Sequence, residues 1–270
     1  MKNATIVAVC NQKGGVGKTT TTENFAFALA EHGKRVLMVD FDAQASLTQT
    51  QGVEQPDNLK ATIYNLMMDA IEEQPPQTDP VLHTSNPRVD LLPSNIDLAA
   101  LETVLVTAMS REHMLRAVLA PYRSQYDYIL IDCQPSLGLL TINAWTAADE
   151  VLIVTTPQIF SSKGLEQLFA SIRRIQRHTN PALRVAGVLM TRFTDKVRIN
   201  REVMEITQQA YGPAIHIFNA KIPTSVKVDE SHYMCTPILT YDPKGKVAET
   251  YRDFCSEYLA MEEKNTENER

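Results

Sequence analysis

The stretch Thr5-Ile6-Val7-Ala8-Val9-Cys10-Asn11-Gln12-Lys13-Gly14-Gly15-Val16-Gly17-Lys18-Thr19-Thr20 decides the fold. An apolar run ends in a glycine-rich turn, and a helical pattern follows from about Thr19 to Glu31, closed by Gly33. Strand, turn and helix in that order build a phosphate cradle. Turn N–H groups and the positive end of the helix dipole face the anion. Glycine is needed because a side chain would block close approach and disfavour the required backbone angles. Lys18 supplies an ammonium for the β- and γ-phosphates, and the Thr19 hydroxyl is placed to hold Mg2+. The nucleotide-binding set read from the loop is Gly14, Gly15, Val16, Gly17, Lys18, Thr19 and Thr20. The common motif has glycine where this chain has Gln12; here a second lysine, Lys13, precedes Gly14 and Gly15. A glycine turn with incidental lysines would explain neither the strand before it nor the helix after it.

Working outward, further apolar runs are short and nearly continuous: Arg35–Asp40, Tyr128–Asp132, Val151–Val154 and Val185–Met190, with Val89–Leu92 and Ile215–Phe218 as weaker cases. Continuous apolar runs suit strands covered on both faces, the pattern of a parallel sheet. Helical patterns alternate with them. The clearest runs from Ser161 to about His178, with Ser161 or Ser162 as cap and Arg173, Arg174 and Arg177 on its polar face. The expectation is a doubly wound α/β fold with a mostly parallel sheet. The Pro- and Asn-rich stretch Glu54–Pro93 reads as a surface excursion with one short helix near Ile63–Ile71.

The chain has 270 residues and a net charge of −6. That length suits a single P-loop domain, placed at 1–260, with a polar, frayed tail at 261–270. No run approaches the roughly 18 apolar residues of a membrane span. The first strand leads straight into the loop, with no signal-peptide pattern. Cys10, Cys133, Cys235 and Cys255 lack metal-ligand spacing and read as free thiols of a reducing cytoplasm. The negative charge excludes a strong global attraction for nucleic acid but not a local basic patch.

A nucleotide-hydrolysing P-loop site needs carboxylates at the ends of neighbouring strands. Asp132 caps one apolar run, as an acid orienting Mg2+ would. Asp40 and Asp42 end another and, in extended geometry, point the same way. One or both would reach the Mg2+ shell or the attacking water.

Together with Val39-Asp40-Phe41-Asp42-Ala43-Gln44, Ile131-Asp132-Cys133-Gln134-Pro135-Ser136-Leu137-Gly138-Leu139-Leu140-Thr141 and Tyr241-Asp242-Pro243-Lys244-Gly245, the loop resembles the ParA-type (Soj-like) partition ATPases of the MinD/ParA deviant P-loop group. The resemblance covers nearly the whole chain. It implies a slow, partner-stimulated ATPase with ATP and Mg2+ as cofactors, forming a homodimer with ATP. The dimer would bind nonspecific DNA, and a ParB-like centromere-binding protein would trigger its release. Lys13 would reach the partner subunit's phosphates, physically like an arginine finger. Lys13, Lys18 and Asp42 match the catalytic positions, Asp42 being tied to the hydrolytic water. Thr19, Asp40 and Asp132 match the metal positions, and Pro223 a position lining the adenine. Lys196 and Lys227 match DNA-contact positions; Arg198 and Arg201 extend the first. Ala43 and Gln134 stand where the family commonly has proline, and Thr224-Ser225 where it often has Arg-Asn. The resemblance implies a cytoplasmic, nucleoid-associated protein without a membrane partner. A MinD-like membrane ATPase would need a basic amphipathic C-terminal helix, and the acidic tail argues against it. A ParA-like ATPase that positions a non-DNA cargo remains open from the sequence.

Overall fold

Alternate residues of the central strands face opposite layers. Ile6, Ala8 and Cys10 of β1 (Thr5–Cys10) join one buried apolar cluster, and Val7 and Val9 join the other. β2 (Val36–Phe41) and β5 (Tyr128–Cys133) divide in the same way. This two-sided burial is why their sequences run apolar without alternation. The computed structural model describes residues 3–158 and 161–268, side chains at 161–163 and 266–268 excepted.

The eight strands form one sheet in the order β3-β4-β2-β5-β1-β6-β7-β8. The remaining strands are β3 (Leu82–His83), β4 (Val89–Leu92), β6 (Glu150–Thr155), β7 (Arg184–Phe193) and β8 (Ile217–Pro223). All pairings are parallel except that of β3 with β4. The helices are α1 (Lys18–Glu31), α2 (Ser46–Thr50), α3 (Ile63–Ile71), α4 (Leu98–Thr107), α5 (Met114–Leu119) and α6 (Leu139–Ala147). They continue with α7 (Ser161–His178), α8 (Arg198–Tyr211), α9 (Val226–Tyr233), α10 (Ile238–Tyr241) and α11 (Lys246–Asn268). One face of the sheet carries apolar side chains of α3, α4, α5, α6 and α7; the other carries α1, α10 and α11. The second layer is tied by an aromatic cluster in which the Phe25 ring lies 4.9 Å from Phe254 and 5.0 Å from Tyr258. Truncating Phe25 to alanine would cost about 3–5 kcal/mol.

β1 lies between β5 and β6: the connection leaving β1 runs to β2 on one side, and the one leaving β5 crosses to β6 on the other. The crevice at the carboxyl end of β1 is the switch point where ligands of open α/β sheets bind. The fold expectation holds.

Two segments differ from the sequence reading. Within Glu54–Pro93, β4 pairs parallel with β2 and α3 buries Ile63, Leu66 and Met67, so these two elements join the core, while most of the rest of the excursion is exposed or partly buried. The expected tail at 261–270 is helical through Asn268. Glu262 explains this: it accepts hydrogen bonds from the Tyr128 hydroxyl and, at 3.4 Å, from the Thr5 hydroxyl, anchoring α11 beneath the sheet. The expected caps Ser161 and Ser162 lie outside the described side chains. Among the described residues, no helix is long and apolar enough to cross a membrane.

Candidate active site

The loop between β1 and α1 is fixed at both ends. Asn11 Nδ2 donates to the Val154 carbonyl (2.7 Å), and Asn11 Oδ1 accepts from the Lys13 N–H (3.0 Å). At the far end the Thr191 hydroxyl donates to the Val16 carbonyl at 2.6 Å. Gly17 takes φ 85° before α1 starts, in the left-handed region that favours glycine. No acidic residue occupies the first turn of α1, so its dipole faces the cleft uncompensated. A Cβ added at Gly14 or Gly15 would meet no neighbouring protein atom within 4 Å, so there is open space beside the loop at both glycines.

The two lysines of this loop are disposed differently. Lys18 is only 7% exposed, with Nζ 3.5 Å from the Lys13 carbonyl. Lys13 is exposed, and its ammonium donates to the Gln158 side-chain oxygen.

Asp40 and Asp132 are register partners across β2 and β5, and both are buried. Asp132 Oδ2 accepts from the Thr19 hydroxyl at 2.7 Å and Oδ1 from Thr22 at 3.4 Å. Burial pushes the Asp132 carboxyl up to about 7, against the opposing pull of the Thr19 bond and the Lys18 charge. Thr19, Asp132 and the nearby Asp42 offer only oxygen donors, a set that fits Mg2+. The expectation that Asp40 and Asp42 point together is corrected. β2 stops at Phe41, and Asp42 turns the chain, its Oδ1 accepting from the Gln44 N–H at 3.0 Å. Asp42 therefore lines the cleft, whereas Asp40 is spent on structure. Asp40 Oδ2 accepts from the Thr48 N–H (2.8 Å) and hydroxyl (2.7 Å), and Oδ1 from the Asp42 N–H (3.3 Å). Burial, then the Asp132 charge, push Asp40 up to about 8.

Two cavities meet at this loop. The first, about 290 Å³, is walled by Gly14, Gly15, Lys18, Thr19, Asp42 and Pro135, among others. The second, about 240 Å³, is walled by Ile222, Pro223, Thr224, Val228 and Asp229, among others. Gly17, Thr20, Arg192 and His232 line both. One continuous cleft thus has a phosphate-sized polar end and an end flanked by Pro223 that suits a planar base. Val16 is buried behind the loop.

Residues 4–185 match the family model of an AAA domain. The sporulation initiation inhibitor protein Soj of Bacillus subtilis is 38% identical over 255 residues, covering 94% of this chain and 98% of that protein. The chromosome partitioning protein ParA of Myxococcus xanthus is 38% identical over 247 residues, 91% and 84% of the two chains. The chain belongs to the ParA/Soj family. A Mycobacterium smegmatis structure described as cobyrinic acid a,c-diamide synthase with bound ATP analog and magnesium is 32% identical, with a TM-score of 0.81. It covers 95% of this chain, which in turn covers 94% of it.

Within this ParA/Soj chain the two proline departures have local explanations. Ala43 packs, partly buried, against the core cluster. Gln134 Nε2 donates to Glu102 Oε1 of α4 at 3.0 Å, and the same carboxylate covers Gly138, where an added Cβ would lie 2.0 Å from it. The basic residues are distributed over two elements. Lys196, Arg198 and Arg201 are exposed just after β7; Arg198 pairs with Glu202 (2.6 Å), and Arg201 donates to the Asp195 carbonyl (2.7 Å). Lys227, on α9, pairs with Glu230 (2.8 Å) and lies 5.6 Å from the Tyr241 ring centre. Since Phe193 and Pro223 are register partners, both basic segments leave the same end of the sheet. The sequence reading missed Gln158, Arg192 and His232, all distant in sequence from the loop they border, and Thr48, which binds Asp40.

Proposed function

We propose that this chain is an ATP-hydrolysing partition switch whose ATP-bound dimer holds nonspecific DNA. The observation that carries the reading is the division of labour between two lysines of one loop: Lys18 is enclosed beneath the cradle and Lys13 stands outside it. A cation held outside its own site is of use to a second copy of the chain. The names of the Soj and ParA relatives, and the ATP analog and magnesium in the M. smegmatis structure, support the same reading.

In this reading the loop N–H groups and Lys18 bind and orient the triphosphate. Mg2+, when bound, would neutralise charge on the phosphate oxygens, held by Thr19 with Asp132 behind it. Asp42, on the cleft wall, accepts a hydrogen bond from the attacking water and aims it. Lys13 leaves Gln158 and stabilises the transferring phosphoryl group of the facing subunit, which ties hydrolysis to dimerisation. Pro223 flanks the adenine. Asp40 supports the Asp42 turn and stands behind the metal position. The exposed Lys196, Arg198, Arg201 and Lys227 contact DNA phosphates, giving sequence-independent, salt-sensitive binding. A ParB-like partner stimulates hydrolysis and resets the switch.

The test is binding to random-sequence DNA with ATP, ADP or no nucleotide, with molecular mass followed by light scattering. The expected result is DNA binding and a doubled mass with ATP alone. A mass and DNA affinity indifferent to nucleotide would refute the switch.

A further inference from the structure

We propose that Arg192 and His232 form a clamp on the sugar and α-phosphate of the nucleotide, at the waist where the two halves of the cleft meet. The clamp rests on the nucleotide-site reading above and extends it to two residues outside the loop and strand-end motifs.

Position is the first argument. Arg192 and His232 line both the phosphate end and the base end. They come from different elements, Arg192 from the end of β7 and His232 from α9. A nucleoside phosphate lying along the cleft must pass both of them.

The backbone at Arg192 is the second. Met190 pairs with Lys221 and Phe193 with Pro223, so the β7 segment 190–193 has one residue more than the β8 segment 221–223 opposite it. Arg192 sits in this bulge with φ 49°. Left-handed backbone is unfavourable for an L residue with a Cβ, and such strain persists where a side chain must be aimed. Bulges beside ligand sites re-aim a side chain in this way. The guanidinium has no hydrogen-bond or ion-pair partner among the described residues. A planar fork of donors left unpaired in a phosphate-sized cleft suits an oxyanion.

His232 supplies the other jaw. Its Nε2 lies 3.3 Å from the Thr20 hydroxyl, on the first turn of α1. Burial holds the imidazole below its ordinary pKa, so the ring serves as a neutral partner with one N–H and one lone pair. It orients the Thr20 hydroxyl toward the phosphate and closes the ribose side of the waist.

The experiment is calorimetric titration of ATP and of ADP, each with Mg2+, into wild type, Arg192→Gly, His232→Ala and His232→Asn. ATP and ADP share the sugar and the α-phosphate, so Arg192→Gly should weaken both by the same factor, about tenfold or more for a lost charge-assisted contact. Glycine adopts φ 49° freely, so the nucleotide-free variant should melt at or above the wild-type temperature. His232→Ala should weaken both nucleotides, and His232→Asn, which keeps a donor, should recover part of the loss. A wild type that binds both nucleotides while the Arg192 and His232 variants bind them equally well overturns the clamp alone. A loss confined to ATP overturns its placement on the α-phosphate. A lowered melting temperature in Arg192→Gly would make the residue structural and overturn its role as a ligand. A wild type that binds neither nucleotide overturns the site reading and the clamp with it.

Discussion

Replacing Thr48 with valine keeps the shape of the side chain and removes one hydroxyl, and the structure states what that hydroxyl does. It donates to Asp40 Oδ2 at 2.7 Å and accepts from the Ser94 N–H at 3.0 Å. Thr48, Asp40 and Ser94 are all fully buried, so water cannot replace either bond. The lost bond to the carboxyl and the orphaned Ser94 N–H together should cost about 2–4 kcal/mol. That is a large fraction of the roughly 5–15 kcal/mol by which domains are stable. At about 2 °C per kcal/mol for a chain of this size, the nucleotide-free melting midpoint should fall by about 4–8 °C. Thr48→Ser keeps the hydroxyl and should lose far less. Asp40 also holds the Asp42 N–H, so loosening it should lower ATP turnover more than ATP affinity. The assay is a thermal melt of the three proteins followed by steady-state ATPase kinetics. A Thr48→Val protein that melts with wild type, or a Thr48→Ser protein that falls as far, would refute the assignment of Asp40 as an anchor.

Glu23 is buried and pushed up to about 8 by that burial, its carboxylate accepting from Gln51 Nε2 at 2.6 Å. The native state holds this proton more tightly than the unfolded chain. Its stabilising contribution is therefore full below about pH 4 and is lost as pH rises through about 8, at up to about 1.4 kcal/mol per pH unit. Glu23→Gln should flatten the fall in stability over this window in urea titrations, with Asp40 and Asp132 supplying what remains; an unchanged slope would count against a buried neutral Glu23. Gln158→Ala frees Lys13 from its intramolecular partner and should lower the ATP concentration needed for dimerisation in light scattering, whereas a raised threshold would show Gln158 acting in the dimer itself. Lys227→Glu should weaken binding to all DNA sequences alike and reduce the salt slope by about one, with no loss of ATP binding; an unaltered slope in salt-titrated gel shifts would remove Lys227 from the interface.

The parts of this molecule legible in the sequence are those encoded locally. The cradle is a contiguous string of residues, and its chemistry depends on backbone angles that glycine spells out. The strands beside it announce themselves because both their faces are buried. β4 was harder to read, being four residues long and set among polar turns. The direction of the Asp40 side chain was not legible: it depends on β2 ending at Phe41 and on a threonine eight residues away across a turn. The pairing of Thr20 with His232 joins positions 212 apart in sequence and appears only once α9 has packed over the loop. Arg192 carries no local signal, since its exposure to the cleft comes from a bulge in pairing between two strands. The tail read as frayed from its polarity, yet one carboxylate at Glu262 finds two hydroxyls at the first residues of β1 and β5.

That last contact bears on how the protein is handled at the bench. Thr5 and Tyr128 are the first residues of β1 and β5, so Glu262 fastens the chain at the pole away from the nucleotide. A shortened version cut at residue 260 would strip the underside of its fastening and expose the buried Tyr258–Glu150 pair to solvent.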